Sequence, residues 1–189
     1  TVASLPQLFF DSEVYPAVDS FLLTCSDNLN RRDLNLVKIA AGLGTPAEPI
    51  EDEPEDDAIK NRFLERWQAW NLSLSADIAV LRAQALGQEL EHYQATERVF
   101  GTETVAREAC NQENPLLAEE VIERARWSFL EEMEVGHYFD TQKILIYLYR
   151  LVILTRKAGF TVEKGTESFH SIYSEISNGK IGEIPEKTQ

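Results

Sequence analysis

The sequence predicts an all-α fold, an irregular helical bundle with one long helix and one central apolar helix. The residues Phe63, Trp67, Trp70, Leu74, Ile78, Leu81 and Ala85 follow one another at spacings of 4, 3, 4, 4, 3 and 4, the period of a helix that buries one face. The run "ILIYLYRLVIL" from Ile144 to Leu154 is apolar on nearly all sides, as befits a helix at the centre of a bundle. Two asparagines stand where helix caps belong, Asn30 ahead of Asp33 and Asn114 ahead of Pro115.

A chain of 189 residues suits one hydrophobic core better than two, so a single helical domain over 1–189 is expected. Hydrophobic residues make up 43 % and aromatics 10 %, enough apolar surface to fold without disulfides or a structural metal. Eighteen basic against thirty-two acidic residues leave a formal charge of −14, a field that repels phosphate backbones and anionic membrane surfaces. Nucleic acid is therefore not an expected partner. Cys25 and Cys110 both fall in helical patterns and read as reduced core thiols, which suits the cytoplasm. The run at 144–154 carries Arg150 within it and covers about half of the roughly 20 residues a bilayer span needs. No basic stretch leading into an apolar one opens the sequence. Any membrane association is expected to be peripheral, through partners.

Taken in order, residues 1–45 read as a small N-terminal lobe. Residues with β preference flank a proline in "TVASLPQLFF", a short helix runs over about 16–25, and a second follows Asn30 with Leu34, Val37, Ile39 and Ala40 on its apolar side until Gly42 and Gly44 stop it. Three prolines and seven acids in "TPAEPIEDEPEDD" make 46–57 an acidic flexible linker. The main helical body is expected over 58–177. It opens with the long helix, about 58–94, whose 37 residues would extend about 55 Å at 1.5 Å each. That exceeds what a domain of this size needs, so its packing partner must also be long, or part of its stripe meets another protein. Trp67 and Trp70 are the candidate interface anchors there, with core filling as their competing role. A short helix over about 102–109 follows, then one capped by Asn114 that turns Leu117, Val121, Phe129 and Met133 inward. The central helix occupies about 141–158. A last amphipathic helix over 161–176 carries Phe169, Ile172, Tyr173 and Ile176 inward, and 178–189 is a loose tail.

Two Glu-x-x-His pairs carry the sharpest chemical suggestion. Glu89 with His92, and Glu134 with His137, stand 45 residues apart on different helices, half of a di-metal carboxylate bundle. The other half is missing: no carboxylate occurs between Asp140 and Glu163, where one wall of such a site should lie. His137 also follows Gly136 at the expected helix end. Partly buried histidines with hydrogen-bond partners are the simpler reading, and no cofactor is expected. "GLGT" at 42–45 lacks the lysine of a phosphate loop, and no nucleophile elbow or Cys-x-x-Cys pair occurs. Arg150, on an apolar helix, needs a carboxylate partner, and Glu131 or Glu134 can supply it as a structural ion pair.

Several stretches together resemble a known family. "VASLPQLFF", "NPLLAEEVIERARWSFLEEMEVGHYFD" at 114–140, the following "ILIYLYRLVIL" and "EKGTESFHSIYSEI" at 163–176 are similar to an uncharacterised bacterial family encoded beside V/A-type ATPase subunits. "RARWSFLEEMEVGHYFD" is the most specific element. The family is thought similar to the C (or d) subunit, an all-helical protein that seats the central stalk on the membrane rotor ring. The resemblance implies a non-catalytic coupling or assembly role with stalk and rotor subunits as partners, and it carries no functional residues over. A C subunit proper is larger and built of repeated helical units, whereas this chain shows no repeat. A di-metal oxidoreductase using Glu89, His92, Glu134 and His137, and a self-associating helical scaffold, are the competing expectations.

Overall fold

A computed structural model describes residues 3, 5–43, 61–88 and 98–160, and all regular structure among them is helical. Six helices follow in order: α1 Val18–Asn28, α2 Arg31–Ala40, α3 Arg62–Ala85, α4 Thr102–Cys110, α5 Pro115–Glu134 and α6 Thr141–Gly159. The acidic stretch 46–57, the pair Glu89 and His92, the helix expected over 161–176 and the tail 178–189 lie outside the described residues. The chain divides into two units, Thr1–Thr155 and Arg156–Gln189. The fold and site below belong to the first; of the second, only the end of α6 and Phe160 are described.

Side-chain caps fix three helix starts. Asn30 accepts the Asp33 N–H at 2.9 Å, and Asn114 accepts that of Leu117 at 2.9 Å with Pro115 in the first helical position. Asn61 does the same for α3, accepting the N–H groups of Phe63 at 2.9 Å and Leu64 at 3.3 Å. The long helix expected over about 58–94 is therefore shorter. It begins after Asn61 and stops at Ala85, because Gly87 takes a left-handed conformation (φ 66°) and closes a Schellman turn. In that turn the Gly87 N–H donates to Gln84 O at 3.1 Å and the Gln88 N–H to Ala83 O at 2.9 Å. Twenty-four residues give a rod of about 36 Å, and the surplus length that argued for a partner along it is gone.

Helix α6 is the centre of the main core. Leu145, Ile146, Leu148 and Leu151 are fully buried, and the cluster around them draws Phe21 and Cys25 from α1, Val37 from α2, Phe63 from α3, and Trp127, Leu130 and Met133 from α5. Full burial of side chains this size contributes about 1.5–3 kcal/mol each. Leu8 and Phe10 belong to the same cluster, so the N-terminal residues share this core. A smaller cluster joins Trp70 and Leu74 of α3, Ala106 and Ala109 of α4 and Ile122 of α5. Of the residues expected inward on α5, Met133 is buried, Val121 and Phe129 are partly buried and Leu117 is exposed; Ile122, Trp127 and Leu130 complete the buried stripe with Met133. The thiols also part company. Cys25 is buried, which pushes it up to about 11, whereas Cys110 is exposed rather than a core thiol.

A buried polar network pins the start of α4 to α3. Thr102 Oγ1 donates to Asp77 Oδ2 at 2.6 Å and meets Ser73 Oγ at 2.9 Å, and Ser73 Oγ accepts the Val99 N–H at 2.9 Å. All three side chains are buried. Thr102→Val keeps the shape, removes the hydroxyl and leaves buried acceptors without their donor, so it is expected to cost about 1–3 kcal/mol. Urea unfolding followed by far-UV circular dichroism checks this; an unchanged midpoint would show that the network adds nothing.

Candidate functional site

A cleft of about 770 Å³ opens where residues 5–10 lie against the C-terminal part of α5 and the first half of α6, a volume in the range of ligand and peptide sites. Its walls are apolar. Leu8 and Phe10 are buried, and the Phe10 ring meets Trp127 edge-on at 5.7 Å while the Arg124 guanidinium lies over the same ring, 4.3 Å from its centroid. Its rim is also apolar, but in the open: Phe9 is 59 % exposed, Tyr138 69 % and Val135 80 %.

The floor is charged. Glu134 receives two cations, Lys143 on Oε1 and Arg150 on Oε2, the latter at 2.7 Å. Arg150 is only 9 % exposed; burial draws it down from the usual guanidinium range, with the charge of Glu131 acting the other way. The Trp127 ring lies 5.1 Å from the guanidinium, and its indole N–H donates to Glu131 Oε1 at 3.0 Å. Of the two partners expected for Arg150, Glu134 thus makes the direct bond and Glu131 acts by charge. Burial and the neighbouring Arg150 lower Lys143.

His137 does not join Glu134. Gly136, left-handed at φ 88°, ends the helical path after Glu134, and His137 turns to Asp140, with Nδ1 on Oδ2. Asp140 in turn caps α6, accepting the Lys143 N–H at 3.0 Å. Burial acts to raise Asp140, but the hydrogen bond from His137, the Lys143 N–H and the charge of His137 outweigh it and leave it below the usual carboxylate range. With Glu134 held by two cations and His137 held by Asp140, the second Glu-x-x-His pair does not converge as a ligand pair. Among the described residues no group of three His, Cys, Asp or Glu could hold a metal ion.

The two candidate interface tryptophans point into the protein. Trp70 is 5 % exposed, and its ring stacks on Phe129 at 5.0 Å and on Trp67 at 6.5 Å. Trp67, partly buried, also meets Tyr149 at 4.7 Å, and burial pushes the Tyr149 phenol up to about 12. Trp70 is therefore core rather than contact surface. Residues 5–10, Lys143 and Tyr147 complete the cleft and carry no periodic signal that marks them as a site.

A family described as a protein of unknown function (DUF2764) matches residues 91–180. No curated protein and no solved structure matches the chain. The matched stretch takes in α4, α5 and α6, and with them the charged floor of the cleft, but not residues 5–10. Over those residues the chain is similar to a family whose activity is not known.

Proposed function

We propose that the protein acts by contact rather than by chemistry, as a non-catalytic component or assembly factor of a bacterial V/A-type rotary ATPase, similar to its C or d subunit. The observation that carries the contact reading is the apolar rim of the cleft. Phe9, Val135 and Tyr138 are large apolar side chains turned to solvent around a concave surface, and Phe139 beside them is exposed as well. Contiguous exposed apolar surface of this kind marks sites of protein interaction. The assignment to the rotary ATPase rests on the resemblance of the sequence, whose most specific stretch, 124–140, supplies much of this cleft. A peripheral position fits the described residues, among which no helix is long and apolar enough to cross a membrane.

The test is recovery of partners by the tagged full chain from its native cytoplasm and solubilised membranes, alongside the double variant Phe9→Ala, Tyr138→Ala. Stalk or rotor subunits are expected in stoichiometric amount with the parent chain and strongly depleted with the variant, whose exposed substitutions leave its circular dichroism unchanged. Recovery of the chain alone refutes the ATPase reading, and equal recovery by both forms refutes this surface.

A further inference from the structure

The floor of the cleft holds one carboxylate between two cations and two hydrogen-bonding atoms with no partner. Arg150 Nε and Tyr147 Oη are buried and make no hydrogen bond in the structure; their residues are 9 % and 5 % exposed and both line the cleft. They are three positions apart on α6 and so share a face. Buried polar groups are nearly always satisfied, and these two are an N–H and an O–H, both able to donate to one acceptor. Glu134 is meanwhile shared by Lys143 and Arg150, so neither cation has a directly bonded carboxylate to itself. Glu131, the other carboxylate of the lining, is exposed and takes the Trp127 N–H. Arg124, the third cation of the lining, is shared with Glu120 at 3.3 Å.

We infer that the cleft receives one acidic side chain, a glutamate or aspartate carried on an apolar segment of the partner protein, and that Lys143, Tyr147 and Arg150 hold it. The inference rests on the docking reading above. An incoming carboxylate lets Lys143 keep Glu134 while the open Nε of Arg150 bonds the newcomer, so each cation then has a directly bonded carboxylate and the phenol gains its acceptor. The walls formed by Leu8, Phe10 and Trp127 select against a bare anion, because such an ion would give up its hydration without apolar contact in return. That leaves a carboxylate with apolar neighbours on its own chain.

Isothermal titration calorimetry on the full chain tests this with acetyl-Leu-Phe-Glu-Phe-Leu-amide, its glutamine counterpart, phenylacetate and inorganic phosphate. The glutamate peptide is expected to bind about tenfold or more tightly than the glutamine peptide, the worth of a hydrogen bond to a charged group. Tyr147→Phe keeps the ring against Phe21, whose centroid is 5.1 Å away, and removes only a hydroxyl that has no partner. It is expected to bind the glutamate peptide about fivefold more weakly while unfolding no earlier than the parent, a split that a structural role for the hydroxyl would not give. Equal binding of the two peptides, no binding of either, or an unchanged affinity in Tyr147→Phe overturns the inference. Phenylacetate binding as tightly as the peptide overturns the protein source, and phosphate displacing the peptide overturns the carboxylate. If stalk subunits are still recovered by the parent chain while the peptides fail, the docking reading stands and only this inference falls.

Discussion

Trp70→Ala is expected to cost about 3–5 kcal/mol, the range for emptying a buried large aromatic site. Whole domains are stable by only about 5–15 kcal/mol, so the urea midpoint should fall steeply and the variant will be partly unfolded near physiological temperature. The size follows from what the ring does. It stacks on Phe129 at 5.0 Å with an interplanar angle of 15° and on Trp67 at 6.5 Å, and it sits in the cluster that joins Leu74 of its own helix to Ala106 and Ala109 of α4 and Ile122 of α5. Those α4 side chains are too short to refill the space, so the cavity persists rather than collapsing. Trp67→Ala should cost less, because that ring is already partly in solvent. Urea titration followed by far-UV circular dichroism gives both values. A loss below about 0.5 kcal/mol for Trp70→Ala, the level of an ordinary surface change, would place the ring outside the core and return it to the candidate contact residues.

Much of the helical plan was legible because its signals are local. Asn30 and Asn114 declare helix starts through one side-chain acceptor each, and both do so in the structure. The run at 144–154 is apolar on nearly every side, and a central helix buries such a surface. The length of α3 departs from the expected one for an equally local reason. The apolar period runs to Ala85 without a break and gives no sign of an end before Gly87, whereas the backbone obeys the glycine and the Schellman turn it permits. The expected surplus length lent Trp67 and Trp70 a partner-facing role, which the burial of Trp70 against Phe129 removes for that residue. A 3–4 spacing marks which residues share a face. It does not say whether that face meets the same chain or another one.

The cleft was legible only in pieces. Glu134 stood out twice, once as a possible ligand beside His137 and once as a counter-ion for Arg150. The structure realises the second pairing, because Gly136 turns the chain before the imidazole can follow the helical line. Lys143 stands in the first turn of α6, and nothing in its sequence neighbours reveals that its ammonium reaches back nine residues to Glu134. Residues 5–10 are more than a hundred positions from the helices they lie against, and they have no repeating pattern from which a surface could be inferred. Sites assembled across such separations are set by tertiary packing, to which local periodicity is blind.

Arg150→Met should destabilise the protein by an amount near the lower end of the about 3–5 kcal/mol typical of a broken buried ion pair, because Lys143 remains on the orphaned Glu134. Methionine fills much of the volume of the arginine stem, so the loss reports charge more than packing. Adding Glu134→Gln is expected to restore most of the stability, since the carboxylate that needed a partner is then gone and the Lys143 ammonium, partly exposed, can reach water along its own stem. The two changes should therefore be strongly non-additive, with a coupling within the about 0.5–3 kcal/mol range measured for contacting residues. Urea unfolding of the parent, both single variants and the double variant supplies the cycle. Additive losses would mean that Arg150 and Glu134 do not depend on each other, and the geometry at 2.7 Å would have no energetic counterpart. A neutral Arg150→Met would carry a different meaning. An arginine only 9 % exposed, with no partner on Nε and dispensable for folding, would be a group whose use lies in what the cleft receives, and the peptide titration would then decide its role.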